Sequence, residues 1–128
     1  MLFSTNQKKL MIIKFTIKEK PVSVNSCYSQ GRNGKRFMTQ EGKSFKEIIA
    51  WHARSNVPPL WKTDQPMAVT IKYYFLTFKN DIDGSNKLVL DAMEKIVYQN
   101  DRQVSELHCY KFRDKINPHI EIEIKYAG

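Results

Sequence analysis

The segment from Met67 to Phe78 is apolar on both of its alternating sides. Met67, Val69, Ile71, Tyr73 and Phe75 line one side, and Ala68, Tyr74, Leu76 and Phe78 the other. Successive strand residues point to opposite faces, so this pattern predicts a central strand covered on both faces. A chain that carries such a strand must build a sheet around it. Met11, Ile13, Phe15 and Ile17 alternate with Lys14, Thr16 and Lys18. Ile120, Ile122, Ile124 and Tyr126 alternate in the same way with Glu121, Glu123 and Lys125. Both runs predict strands with one apolar face. Gln103 to Arg113 predicts a further strand.

Two helices fit between these strands. Thr39 is a suitable N-cap for the first, and Phe45, Ile48, Ile49 and His52 fall at the spacing of one helical face. Asn56 and the Pro58-Pro59 pair end it. The second is predicted over Asp83–Tyr98, with Leu88, Val89, Ala92, Met93, Ile96 and Val97 as its apolar stripe. The stretch between the first strand and first helix, KPVSVNSCYSQGRNGKRFMT, reads as a loop or loose hairpin, punctuated by Gly31 and Gly34. The order β-α-β-α-β-β predicts an α+β (mixed α/β) domain with one small mixed sheet and two helices. At 128 residues one domain is expected, spanning residues 11–128, with residues 1–10 an N-terminal extension ahead of the first periodic segment. Trp51, Trp61 and Tyr98 are candidates for a dimer surface or for the core, and the core is the reading adopted for Trp51.

The formal net charge of +8 favours a polyanionic partner. No basic amphipathic helix with a strong apolar face is present, which places nucleic acid ahead of acidic lipid. No apolar run approaches membrane-spanning length, and the start MLFSTNQKKL lacks the apolar region of a signal peptide. Cys27 and Cys109 show no metal-ligand spacing, so a reduced, cytoplasmic protein without structural zinc is expected. His52, His108 and His119 are scattered and read as packing positions. No nucleophile elbow is present.

The chemistry-bearing residues lie around the second helix. Asp81 and Asp83 stand in DIDGSNK, and Asp101 follows in YQNDRQV. Asp83, Lys87 and Asp91 step along the flank opposite the apolar stripe. These residues read in two ways. Asp83 is a good cap, and Asp83–Lys87–Asp91–Lys95 a ladder of alternating charges, at ~0.2–0.5 kcal/mol per pair. Alternatively, Asp81 beside Asp83 brings two like charges together, which favours a cation between them, and Asp101 closes the site from another element. Three carboxylates with waters suit the octahedral oxygen shell of Mg²⁺, or of Mn²⁺ in its place. In that reading Lys87 stabilises charge that builds on a phosphate.

A second group of residues suits DNA contact. Arg32, Lys35, Arg36, Lys43 and Lys46 surround the glycine-containing loop, where a chain without Cβ atoms can approach a phosphate backbone. Tyr28 and Phe37 are interleaved with them, placed either to wedge between bases or to pack the start of the first helix.

Three segments together resemble the RusA family of Holliday-junction resolvases: PVSVNSCY with the basic loop and helix after it, DIDGSNKLVLDAM, and IVYQNDRQV. Order and spacing both fit, over most of the chain from Met11 on. The resemblance implies a metal-dependent endodeoxyribonuclease that resolves four-way junctions by paired, symmetric, ligatable nicks as a homodimer, in DNA recombination and repair. It implies metal binding by Asp81, Asp83 and Asp101, catalysis by Lys87, and a supporting place for Asp91 and Asn100. Two positions depart from the family pattern. Gly84 stands where an Asn often follows the second aspartate, and Asn100-Asp101 stands where Asp-Asp is common. No membrane partner or small-molecule cofactor is expected. Two alternatives stay open: a non-catalytic branched-DNA-binding protein whose acids are only caps and ladders, and an endonuclease of broader flap and fork substrates.

Overall fold

A computed structural model describes residues 11–128; the extension expected over residues 1–10 lies outside the described residues. In chain order the elements are β1 (Ile12–Ile17), α1 (Val24–Cys27), β2 (Tyr28–Gln30), β3 (Arg36–Met38), α2 (Gln40–Asn56), β4 (Met67–Phe75), α3 (Asn86–Ala92), a 3₁₀ turn (Asp101–Gln103), β5 (Val104–Arg113) and β6 (His119–Tyr126). The β-α-β-α-β-β frame is present, with α1 and a small β2–β3 hairpin inserted into the stretch read as a loop or loose hairpin.

The four long strands form one mixed sheet of order β1–β6–β4–β5. β6 pairs antiparallel with both β1 and β4, and β4 pairs parallel with β5. A parallel pair needs a crossover connection, and α3 lies in it. The register puts Ile13, Ile124 and Val69 in one row and Phe15, Ile122 and Ile71 in the next. These rows, with Phe45, Ile49 and Ala53 of α2 and Leu88 and Val89 of α3, are the buried core.

β4 is central, as expected, but it is not covered on both faces. The helices pack on one face, and Thr70, Lys72 and Tyr74 on the other are only half-buried. Sheet neighbours alone shelter that face: Tyr74 stacks on His119 with ring centroids 4.0 Å apart and on Phe112 at 4.8 Å. The strand also ends at Phe75, so Leu76 and Phe78 lie in an exposed loop.

Thr39 caps α2, accepting the Gly42 N–H at 3.1 Å, and its hydroxyl donates to the Ser26 carbonyl at 2.6 Å. This pins the start of α2 to α1. Gly42 allows the approach, because a Cβ there would stand 2.5 Å from the Cys27 carbonyl oxygen. Trp51 is 60% exposed, which corrects its assignment to the core. At ~100° per residue it stands ~200° from Ile49, off the buried stripe. Of the three aromatics weighed for a dimer surface, Trp61 and Tyr98 are the buried ones.

The second helix is shorter than predicted. It runs over Asn86–Ala92, with Ser85 rather than Asp83 as its N-cap. Beyond Met93 the chain reverses: Lys95 adopts φ 65°, the left-handed region that costs a non-glycine residue ~1–2 kcal/mol. Two side-chain bonds to backbone carbonyls fix the reversal. The Tyr98 hydroxyl donates to the Leu90 carbonyl at 2.6 Å, and the Trp61 indole N–H donates to the Val97 carbonyl at 2.8 Å. The apolar periodicity continued through Ile96 and Val97 because this reversed loop also faces the core. No helix among the described residues is long and apolar enough to cross a membrane.

Candidate active site

Burial of Leu88, Val89 and Ala92 sets the rotation of α3 and turns Lys87 and Asp91 outward. The Lys87 ammonium donates to Asp91 Oδ1 at 2.8 Å and also to Asp101 Oδ2. The helix places the first partner one turn away; the second comes from the turn that precedes β5. Lys87 is thus held between two carboxylates at an otherwise solvated surface. The hydrogen bond from Lys87 holds the Asp101 carboxyl below its ordinary value. The bonds to Asp101 and then Asp91 hold the Lys87 ammonium above its own.

The Asp101 turn is built by its neighbours. Asn100 caps it, its side chain accepting the Arg102 N–H at 2.9 Å. Asn100 thus acts on the backbone of the turn. Gln103 Oε1 accepts the N–H groups of Gln99 and Asn100, each at 2.9 Å, while its Nε2 donates to the carbonyls of Thr63 at 2.7 Å and Gln65 at 3.0 Å. An amide has two donors and two acceptor sites, so Gln103 uses all of them to tie this turn to the loop ahead of β4. That is a physical role for the glutamine of the D-x-Q-V pattern. A further anchor is Glu94, whose carboxylate accepts the Asp101 N–H at 2.9 Å.

Carboxylate oxygens of Asp91, Glu94 and Asp101 lie within 4.8 Å of one another. Such a set of hard anionic oxygens fits Mg²⁺ or Mn²⁺ and does not suit a soft metal. Glu94 was missed in the sequence. The available signal was its position three residues after Asp91, on the same helical flank; the early end of α3 moved it into the reversed loop instead.

Asp81 and Asp83 are both exposed and are not part of that compact group. β4 and β5 run parallel, with Met67 opposite Val104 and Phe75 opposite Arg113. Asp81 follows the end of β4, whereas Asp101 precedes the start of β5. Along the chain, Asp81 thus follows one end of the strand pair and Asp101 precedes the other, with α3 in the segment that connects them. Asp83 opens the turn into α3, its carbonyl accepting the Asn86 N–H at 3.3 Å. Burial raises the Cys109 thiol, a hydrogen bond with Asn86 opposes that rise, and the Asp83 carboxylate adds a little to it.

Of the basic residues, Arg32, Lys35, Arg36 and Lys43 are exposed and Lys46 is half-buried. The first three lie on the β2–β3 hairpin, where Gly34 takes φ 77° at the turn. The Arg36 guanidinium sits over the Tyr28 ring, 4.2 Å from its centroid. Phe37 is 52% exposed and so does not staple α2.

A family model described as Endodeoxyribonuclease RusA matches residues 19–125 of the chain. The matched span contains both strands of the parallel pair, α3 and every carboxylate named above. The chain is also 29% identical to the uncharacterized protein YqaN of Bacillus subtilis (strain 168), over 88% of this chain and 95% of that protein.

Proposed function

This chain belongs to the RusA endodeoxyribonuclease family, and from that premise we propose that it is a metal-dependent, structure-specific endonuclease that resolves Holliday junctions by paired nicks. The observation that carries the reading is the Lys87 ammonium held by carboxylates from two separate elements, Asp91 on α3 and Asp101 ahead of β5. A simple helical ladder needs only the first. The second partner makes this a site built by the tertiary fold, in a protein of net charge +8.

Asp101 with Asp81 and Asp83 is the ligand set that the family resemblance assigns to the metal. The gathered oxygens of Asp91, Glu94 and Asp101 support a second set, which shares Asp101 with the first. A divalent ion held there supplies Lewis-acid polarisation of a phosphoryl oxygen and a more acidic water. The chain's own residues do the rest. Asp101 is fixed through its backbone by Glu94 and through its turn by Asn100 and Gln103. Lys87 carries the positive charge that meets the negative charge developing on the phosphate. Asp91 keeps that ammonium oriented. The β2–β3 hairpin and the start of α2 present Arg32, Lys35, Arg36, Lys43 and Lys46 to the phosphate backbone.

A four-way junction is pseudo-twofold, so symmetric cutting of opposed strands calls for two sites in fixed relation, as a C2 homodimer supplies. The test is a synthetic four-way junction incubated with Mg²⁺. Wild-type protein nicks opposed strands at symmetric positions, and Asp101→Asn binds the junction without cutting it. Junction binding with no nicks from the wild type would leave only a branched-DNA-binding protein. Equal cutting of flaps and forks would widen the substrate class.

A further inference from the structure

The PVSVN segment (residues 21–25) carries neither a carboxylate nor a basic side chain, yet the fold ties it to the acidic loop. The Ser85 hydroxyl, buried at the N-cap of α3, donates to the Val22 carbonyl at 2.6 Å. Ser85 also lines a cleft of about 120 Å³. Ser23 and Asn25 form one wall and Lys79, Asn80 and Asp81 the other, with the Phe75 ring also lining it. The second wall is anchored from below, because the Lys111 ammonium donates to the carbonyls of Asn80 at 2.8 Å and Phe78 at 3.1 Å. Both walls are therefore held by side chains whose partners lie far away in sequence.

We infer that this cleft is a phosphodiester subsite, in which Asn25 and Lys79 hold a phosphate of the cleaved strand beside Asp81. The inference rests on the endonuclease reading and adds a residue class to it. Its volume is well below the ~300–1,000 Å³ of pockets that enclose a whole small molecule, so it suits one phosphate group and does not enclose a nucleoside. Its chemistry is that of a backbone contact: the amides of Asn25 and Asn80 and the single ammonium of Lys79 recognise anionic oxygens without reading a base. Asp81 opposes an anion there unless a cation lies between them, so the subsite couples strand placement to the loop that the family resemblance assigns to metal. The exposed Asn25 amide reaches a phosphate without disturbing the core, and an aspartate in its place would repel one.

The test uses the full chain and synthetic four-way junctions in which single phosphates flanking the cut are replaced by neutral methylphosphonates. Cleavage is followed in Mg²⁺, and affinity is measured separately by mobility shift without divalent ions. Wild-type protein should lose about tenfold in rate at one flanking position, the scale of a lost charge-assisted hydrogen bond. Asn25→Ala should lose a similar factor on the native junction and nothing further at that position, whereas Asn25→Asp should lose more. Thermal melting of both variants shows that they fold. Independent, multiplying losses for Asn25→Ala and the methylphosphonate, or wild-type cutting by Asn25→Asp, would overturn the subsite. If wild-type protein nicks no junction at all, the endonuclease reading itself fails. That result is distinct, because no methylphosphonate position would then matter.

Discussion

The Glu94 carboxylate accepts the backbone N–H of Asp101 at 2.9 Å, so the position of one acidic residue is set by another that the chain reaches seven residues earlier. Removing the acceptor leaves a half-buried N–H without its partner and frees the turn. Hydrogen bonds to charged groups contribute ~1.5–3 kcal/mol. Glu94→Ala should therefore slow junction cutting by roughly tenfold or more and weaken Mn²⁺ binding measured by calorimetry, with junction affinity retained. Glu94→Gln keeps a carbonyl oxygen in place and should restore most of the rate if positioning is its role. If Glu94→Gln behaves like Glu94→Ala in Mn²⁺ binding, Glu94 serves as a charged ligand.

Lys87 competes with any metal for the same oxygens, since its ammonium already donates to Asp91 and Asp101. Lys87→Met removes that internal cation. Mn²⁺ should then bind more tightly to the variant than to the wild type, while cutting falls by ~10²-fold or more through the loss of charge stabilisation at the phosphate. Weaker Mn²⁺ binding in Lys87→Met would mean that the lysine organises the acids instead of occupying their place.

The same pair predicts an acid limb of stability. The Asp101 carboxyl is lowered by its hydrogen bond from Lys87. A lowered carboxyl binds fewer protons in the folded state than in the unfolded one between the two values, so unfolding there takes up protons. Its contribution is complete above the ordinary carboxylate value of ~3.9 and disappears as pH falls through the folded value. Denaturant midpoints of wild-type and Lys87→Met protein should converge below about pH 4, having differed at neutral pH. The gap stays small, because Lys87 is largely exposed and surface pairs are screened. An unchanged gap at low pH would assign the difference to packing of the lysine stem.

How much of this was legible in the sequence divides by the kind of interaction involved. Strand alternation placed β1, β4 and β6 well, because period-two burial is a local consequence of the pleat. Thr39 announced α2 through cap chemistry confined to its own turn. The end of α3 was not legible: Ile96 and Val97 keep the helical rhythm, but the bonds that reverse the chain come from Trp61 and Tyr98. The exposed face of β4 was missed for a related reason, since Tyr74 is sheltered by rings from β5 and β6 rather than by a second layer. In the candidate site, the lateral pairing of Lys87 with Asp91 follows from helical spacing. Its bond to Asp101 and the part of Glu94 depend on a left-handed residue at Lys95, which no pattern at that position foretold.

The basic hairpin gives a prediction that separates binding from chemistry. Arg32, Lys35 and Arg36 project from β2–β3, an element that contains none of the clustered carboxylates. Each phosphate neutralised in a duplex arm releases counterions and adds ~0.9 to the slope of log affinity against log salt. Replacing Lys35 and Arg36 together by Ala should therefore weaken junction binding at low salt and flatten the slope by about 1.8 if both touch phosphate. The cutting rate at saturating protein should change little, because the Lys87–Asp101 arrangement is untouched. Arg36 differs from Lys35 in lying over Tyr28, so Arg36→Lys keeps the charge but loses the planar stacking. A slope kept by Arg36→Lys alongside weaker binding would assign Tyr28 and Arg36 jointly to a stacked contact with the DNA. An unaltered slope in the double variant would move the DNA path away from the hairpin.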